Sequence, residues 1–178
     1  MKRIVGLFIL TVVLALSSQA QKFGYVDTEL ILSKMDEYKA AKQEIDNLSQ
    51  KWQKELEDLY AGIEKMYKDY QAEEVLLTDD IKKLRQEDIM AAERKAKEYK
   101  EKKFGYDGEL YKVQDDKIKP IQDKVYDAVE KVAQERKLDI ILDKAANSGI
   151  LYSNAAFDRT DDVVIKLGIQ KWLALELK

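Results

Sequence analysis

Cysteine and histidine are both absent from the 178 residues, and proline occurs once. Without cysteine the chain forms no disulfide and offers no thiolate nucleophile or metal ligand. Without histidine it lacks both the side chain that titrates near neutral pH and the commonest transition-metal ligand. None of the seven glycines belongs to a Gly-x-x-x-x-Gly-Lys-Ser/Thr phosphate loop. Carboxylates are plentiful, but adjacent pairs such as Asp115-Asp116 and Asp161-Asp162 point in different directions on a helix. No alternating Asp/Asn loop with the glycine of a calcium site occurs. The sequence therefore supplies no catalytic residue, no metal site and no cofactor site, and it does not read as an enzyme.

What is present begins with a leader. Lys2 and Arg3 precede an uncharged apolar run, Ile4 to Leu16, followed by Ser17, Ser18, Gln19 and Ala20. That is the layout of a secretory signal, with Ser18 and Ala20 at the small positions before a cut. The run is shorter than the ~20 residues that span a bilayer as a helix. Cleavage after Ala20 is expected, with an uncleaved anchor as the alternative. With no cysteine behind the leader, lipid attachment there is excluded.

Losing Lys2 and Arg3 lowers the basic count from 31 to 29 against 34 acidic residues, so the mature chain carries −5. A chain of that sign is not built to neutralise nucleic-acid phosphates. Charged residues make up 37% of the sequence, against about 25% in an ordinary globular protein. Much solvated helix surface is implied.

Lys22 to Asp27 reads as a short strand, followed by a helical turn that Thr28 can cap. From Asp36 onward, Tyr38, Ala41, Ile45, Leu48, Trp52, Leu56, Leu59, Ile63, Met66 and Tyr70 recur at steps of three or four, which predicts one continuous helix. The pattern breaks at Glu73 to Asp80, the expected tip of a hairpin, where Thr78 or Asp79 can cap a new helix. A second stripe returns from Ile81 through Ala96, Tyr99, Tyr106 and Leu110 to Val132. Asp88, Lys103 and Lys117 interrupt its seam. Gly105, Gly108 and Pro120 are candidate hinges in this return arm, competing with the reading of tolerated imperfections.

After Lys137, Leu138 to Asp143 reads as a buried strand, and Asn147-Ser148-Gly149 supplies a turn toward Ile150 to Ser153, predicting a β-hairpin. Thr160 or Asp161 opens a final amphipathic helix bearing Val163, Val164, Leu167 and Trp172. The predicted fold is α+β and mainly helical. Residues 21–35 and 138–178 form a small body, and residues 36–137, with a tip near 73–80, form a long antiparallel coiled-coil hairpin inserted between the first and second strands.

The leader, the Tyr25-Val26-Asp27 strand, the charged hairpin, Leu138 to Asp143 and the Asp158 to Leu167 segment together resemble the Skp, or OmpH-like, family of periplasmic chaperones over nearly the whole mature chain. The resemblance implies a homotrimer in the periplasm, with a small β-barrel body and arms enclosing unfolded outer-membrane proteins. The acidic balance departs from the strongly basic pattern often described for the family, and the segment after Leu167 is longer than its usual ending.

Eight of the ten tyrosines lie in the arm region. Tyr60, Tyr67, Phe104 and Tyr111 fall beside the traced seam and, with the flexible thioether of Met66, are candidate client contacts. The competing reading makes them packing residues of the hairpin. Arg94, Lys95, Lys97, Lys100, Lys102 and Lys103, against Glu98 and Glu101, form a basic segment able to attract acidic clients or lipid headgroups at the membrane periphery. Its competing reading is a solvated face paired with Glu55, Glu57 and Asp58 of the facing helix. No nucleotide site is present, so release is expected to be independent of ATP. The functional alternative is an envelope coiled-coil adaptor or structural protein that binds a folded partner.

Overall fold

The computed structural model describes residues 21–146 and 149–169. The leader, its cleavage site and Trp172 lie outside that range. In chain order the elements are β1 (Phe23–Val26), α1 (Thr28–Lys34), α2 (Asp36–Glu73), a 3-10 turn at Glu74–Leu76, α3 (Asp79–Phe104), α4 (Glu109–Arg136), β2 (Ile140–Asp143), a 3-10 turn at Ala155–Phe157 and α5 (Thr160–Lys166). They fall into two compact units, one of residues Met35–Asp123 and one of the described residues on either side.

The first unit is a helical hairpin. The stripe from Tyr38 to Tyr70 is continuous because α2 runs unbroken for 38 residues, about 57 Å at 1.5 Å each. It buries only Ile45, Trp52, Leu56 and Ile63, spaced seven, four and seven apart, so its core is a narrow seam. Opposite it, α3 buries Ile89 and Ala96. Tyr67 donates to Glu93 at 2.9 Å, Gln86 donates to Tyr70 at 2.9 Å, and Tyr99 donates to Glu55. These partners step up α2 as they step down α3, so the two helices run in opposite directions.

The return arm is two helices rather than one. It breaks between Phe104 and Glu109, and Gly105 and Gly108 occupy the break. Gly105 ends α3, its N–H donating to the Glu101 carbonyl at 2.9 Å. A Cβ on Gly105 would stand 2.4 Å from that same oxygen, so close backbone approach requires glycine. Pro120 lies inside α4, which continues through it. Tyr106, which the spacing places on the seam, is 92% exposed because the break turns it outward.

In the second unit β1 and β2 form a parallel pair, with Phe23 opposite Ile140 and Val26 opposite Asp143. The short helix α1 is capped by Asp27, whose carboxylate accepts from the Leu30 N–H at 2.9 Å. Thr28, the expected cap, instead donates its hydroxyl to Asp143 at 2.6 Å. Thr160 accepts from the Asp27 N–H at 3.1 Å, and the Tyr25 carbonyl accepts from Arg159 at 2.8 Å, so α5 and its approach are tied to β1. Val26, Ile31, Val132, Val163 and Val164 are fully buried there.

Two expectations about this unit are corrected. Leu138 to Asp143 was expected to be a buried strand, yet Ile140 and Leu142 on one face of β2 are exposed, because nothing among the described residues covers them. Ile150 to Ser153 was expected to pair with β2 as a hairpin, but it carries no strand. β2 satisfies one edge against β1 instead, and Leu151 stands fully exposed.

Candidate functional site

The hairpin's surface is where the chemistry lies, since its narrow seam leaves aromatic side chains in solvent. Tyr60 and Tyr111 are exposed on α2 and α4. Tyr67 is exposed as a ring, while its hydroxyl is held by Glu93; that bond is the main reason its pKa is raised. Met66 is half-buried. Phe104 is half-buried and packs edge-on against Trp52, with centroids 6.5 Å apart. Tyr60, Met66 and Tyr67 share the tip-side half of α2, whereas Phe104 and Tyr111 flank the helix break. The structure thus gathers the five into two groups.

A partner that the spacing did not show is Tyr106, whose ring stacks on Tyr111 with centroids 6.3 Å apart. Its place after Gly105 was the available signal, since a residue in a helix break need not follow the helical stripe. At Tyr111, a groove of about 640 Å³ opens between α2 and the first turns of α4, its lining including Tyr38, Ile45 and Ile118 together with Lys42, Asp115 and Lys119. A lining of apolar side chains with charges of both signs suits a polypeptide segment better than a small ionic ligand.

The basic residues divide. Lys103 reaches into the seam, its side chain only 15% exposed, with its ammonium 4.4 Å from the Trp52 centroid and paired with Glu109 across the break. That pairing, a hydrogen bond first of all, holds the Glu109 carboxyl below its usual range. Lys102 approaches Glu109 at 3.6 Å. Arg94, Lys95, Lys97 and Lys100 are exposed and make no ion pair among the described residues. The expected pairing of this segment with Glu55, Glu57 and Asp58 is not formed: Glu55 is taken by Tyr99, burial and that hydrogen bond pushing the phenol up to about 12. Helical geometry also spreads the bases, placing Glu98 and Glu101 between Arg94 and Lys102.

Among the described residues no group of His, Cys, Asp and Glu could hold a metal ion, and no helix is long and apolar enough to cross a membrane. The far end of the hairpin carries a different surface. Val75 and Leu76 are 88% and 83% exposed in the 3-10 turn, and Glu73, Glu74, Asp79 and Asp80 surround them in sequence.

Comparison with known proteins gives a consistent placement. The family model described as outer membrane protein (OmpH-like) matches residues 22–167. A crystal structure from Caulobacter crescentus, described as that of a candidate outer membrane chaperone (OmpH-like), superposes with a TM-score of 0.65 at 15% identity. The match covers 85% of this chain and 86% of that one, and at such identity it establishes the fold. No curated protein matches the chain. The family match spans most of the sequence and the hairpin-plus-sheet fold agrees with it: the chain belongs to the Skp, or OmpH-like, family.

Proposed function

We propose that this member of a family of outer membrane chaperones, not enzymes, is a periplasmic holdase that works without ATP. Its clients are unfolded outer-membrane proteins, sheltered between the arms of a homotrimer before insertion. A cleavable leader ending at Ala20 delivers it. Residues 21–35 and 138–178 form the trimer body, residues 36–137 the arm with its tip near 73–80, and the short strands of three copies join in a β-barrel-like core.

The observation that carries this reading is the hairpin's division between a narrow buried seam and exposed aromatic rings. Holding an unfolded chain calls for many weak contacts that do not trap it, and scattered rings on a solvated rod supply them. Tyr60 and Tyr111 are the leading client contacts, followed by Tyr67, Met66 and Phe104. Arg94, Lys95, Lys97, Lys100 and Lys102 add a salt-sensitive attraction for acidic client segments or lipid headgroups, with Lys103 held back in the seam. Gly105, Gly108 and Pro120 let the arm adjust to client size. Release follows from the client's own folding and insertion, which remove its unfolded form from the equilibrium. Exposed Ile140 and Leu142 on an unpaired strand edge support self-assembly, because the described residues of one chain leave that apolar face and that edge uncovered.

The test is an aggregation assay with an unfolded barrel protein at two salt concentrations, with the solution mass measured on the same sample. Suppressed aggregation by a three-chain species, unaltered by ATP, is the expected result. Failure to slow aggregation at either salt concentration would refute the holding role. Acceleration of client release by ATP would refute the mechanism.

A further inference from the structure

We infer that Gln21 is a modification site: once the leader is cut behind Ala20, its α-amine closes onto its own side-chain amide, and the resulting pyroglutamate shields the start of β1 from exopeptidases. The inference rests on the leader reading, which places Gln21 first in the exported chain. A glutamine in that position carries a free amine and an amide carbonyl at the spacing that closes an unstrained lactam.

The step balances without a co-reactant. The α-nitrogen bonds to the side-chain carbonyl carbon Cδ, the bond from Cδ to Nε2 breaks, and that nitrogen leaves as ammonia with a proton taken from the attacking amine. Closure needs the amine unprotonated. An ordinary α-amine titrates near ~8, so a usable share is neutral at physiological pH.

The fold holds the chain from Lys22 onward and leaves Gln21 alone. The Lys22 N–H donates to the Asp139 carboxylate at 2.8 Å. The Lys22 carbonyl accepts from the Asp139 N–H at 2.7 Å and from the Ile140 N–H at 3.4 Å. β1 then begins at Phe23, opposite Ile140. Gln21 itself is exposed, lies outside the strand and makes no hydrogen bond to the described residues. No contact with them has to break for the ring to form. The Lys22 N–H is not a ring atom, so its bond to Asp139 survives the closure.

Closure has a consequence for the sheet. Chain ends are where proteolysis concentrates, and an aminopeptidase needs the free amine that the lactam lacks. Loss of Gln21 and Lys22 would delete the bonds that Lys22 makes to Asp139 and Ile140, and with them the fastening of β1 at its first residue. The lactam therefore caps the end of the β1–β2 pair.

The test reads the mature terminus directly. The full-length chain is expressed with its leader, recovered from the periplasm into mild acid to halt further closure, and cut before Asp27. The peptide of residues 21–26 should be lighter than its open form by the mass of one ammonia. It should resist stepwise N-terminal degradation until treated with a pyroglutamyl peptidase. A peptide that starts at Gln21 with its full mass would overturn the inference and leave the leader reading standing, whereas a chain that starts at any other residue would overturn both. Gln21→Asn, whose amide is one methylene too short to close, should keep a free amine and lose its first residues to an added aminopeptidase that leaves the parent intact. Equal trimming, or equal resistance, of parent and variant would overturn the cap.

Discussion

The ammonium of Lys103 lies 4.4 Å from the centre of the Trp52 ring while the same group pairs with Glu109 beyond the helix break. One cation thereby joins three segments of the hairpin: the middle of α2, the end of α3 and the start of α4. Truncating Trp52 to Ala removes the platform as well as a buried ring, and should cost about 3–5 kcal/mol in denaturant unfolding. Lys103→Met keeps the stem that packs on the ring and deletes the charge. It should lower the unfolding midpoint by less than Lys103→Ala. Equal midpoints for Lys103→Met and the parent would show that the charge contributes nothing.

Tyr99 sets an alkaline limit on the hairpin. Burial first, and then its hydrogen bond to Glu55, raise its pKa to about 12 from an ordinary value of 10. A phenol whose folded pKa is raised contributes stability that is complete below the unfolded value and is lost as pH climbs toward the folded one. The window is therefore between about 10 and 12. Phenolate absorbance should include a step near 12 from Tyr99, and Tyr67 should also titrate above the ordinary phenol value because Glu93 holds its hydroxyl. Tyr99→Phe should remove the step near 12 and flatten the loss of stability in that window. A step near 12 that persists in Tyr99→Phe would assign it elsewhere.

How far the sequence reveals all this depends on the kind of interaction. The three-to-four spacing through Ile45, Trp52, Leu56 and Ile63 is a local property, and those four residues are buried as it predicts. Ile89 escaped the stripe because charged neighbours mask it, yet it is one of the two buried residues of α3. Tyr106 was placed on the seam because spacing runs through a break that only Gly105 and Gly108 announce. Asn147-Ser148-Gly149 favours a local partner for β2, whereas its real neighbour is β1, more than a hundred residues earlier. Periodicity reports which face is apolar and is silent on what covers it. For the same reason Lys103 was legible as an intruder in the seam, but its tie to Trp52 and Glu109 was not.

The glycines of the hairpin should respond in opposite directions. Gly62 lies inside α2, and a Cβ there meets nothing within 4 Å. Gly62→Ala should stabilise the hairpin by about 0.5–1 kcal/mol, through reduced freedom of the unfolded chain. Gly105 has φ of −63°, which any residue tolerates, so conformation does not demand glycine. Contact with the Glu101 carbonyl does, and Gly105→Ala must displace the end of α3. Thermal unfolding of the two variants should shift up for the first and down for the second. A downward shift for Gly62→Ala would mean that open space at this position is filled in the assembled protein.

Asp143 is the polar anchor of the second unit, and its removal should be the costliest polar substitution there. Its carboxylate accepts from the Thr28 hydroxyl at 2.6 Å, the Thr28 N–H at 3.2 Å and the Ala145 N–H at 3.0 Å. These bonds fasten the end of β2 to the start of α1, where β1 has just ended. Asp143→Ala strands a backbone donor on each side and the Thr28 hydroxyl between them. Leaving part-buried donors unsatisfied costs about 1–3 kcal/mol, more than the bonds themselves contribute net. Thr28→Val removes one partner and leaves a carboxylate with other donors, so it should cost less. Because β2 is the strand whose outer edge is open, loosening its end should also weaken self-association. Solution mass at falling concentration should show Asp143→Ala dissociating first. Unfolding without any change in association would separate the anchor from the assembly and confine its role to the single chain.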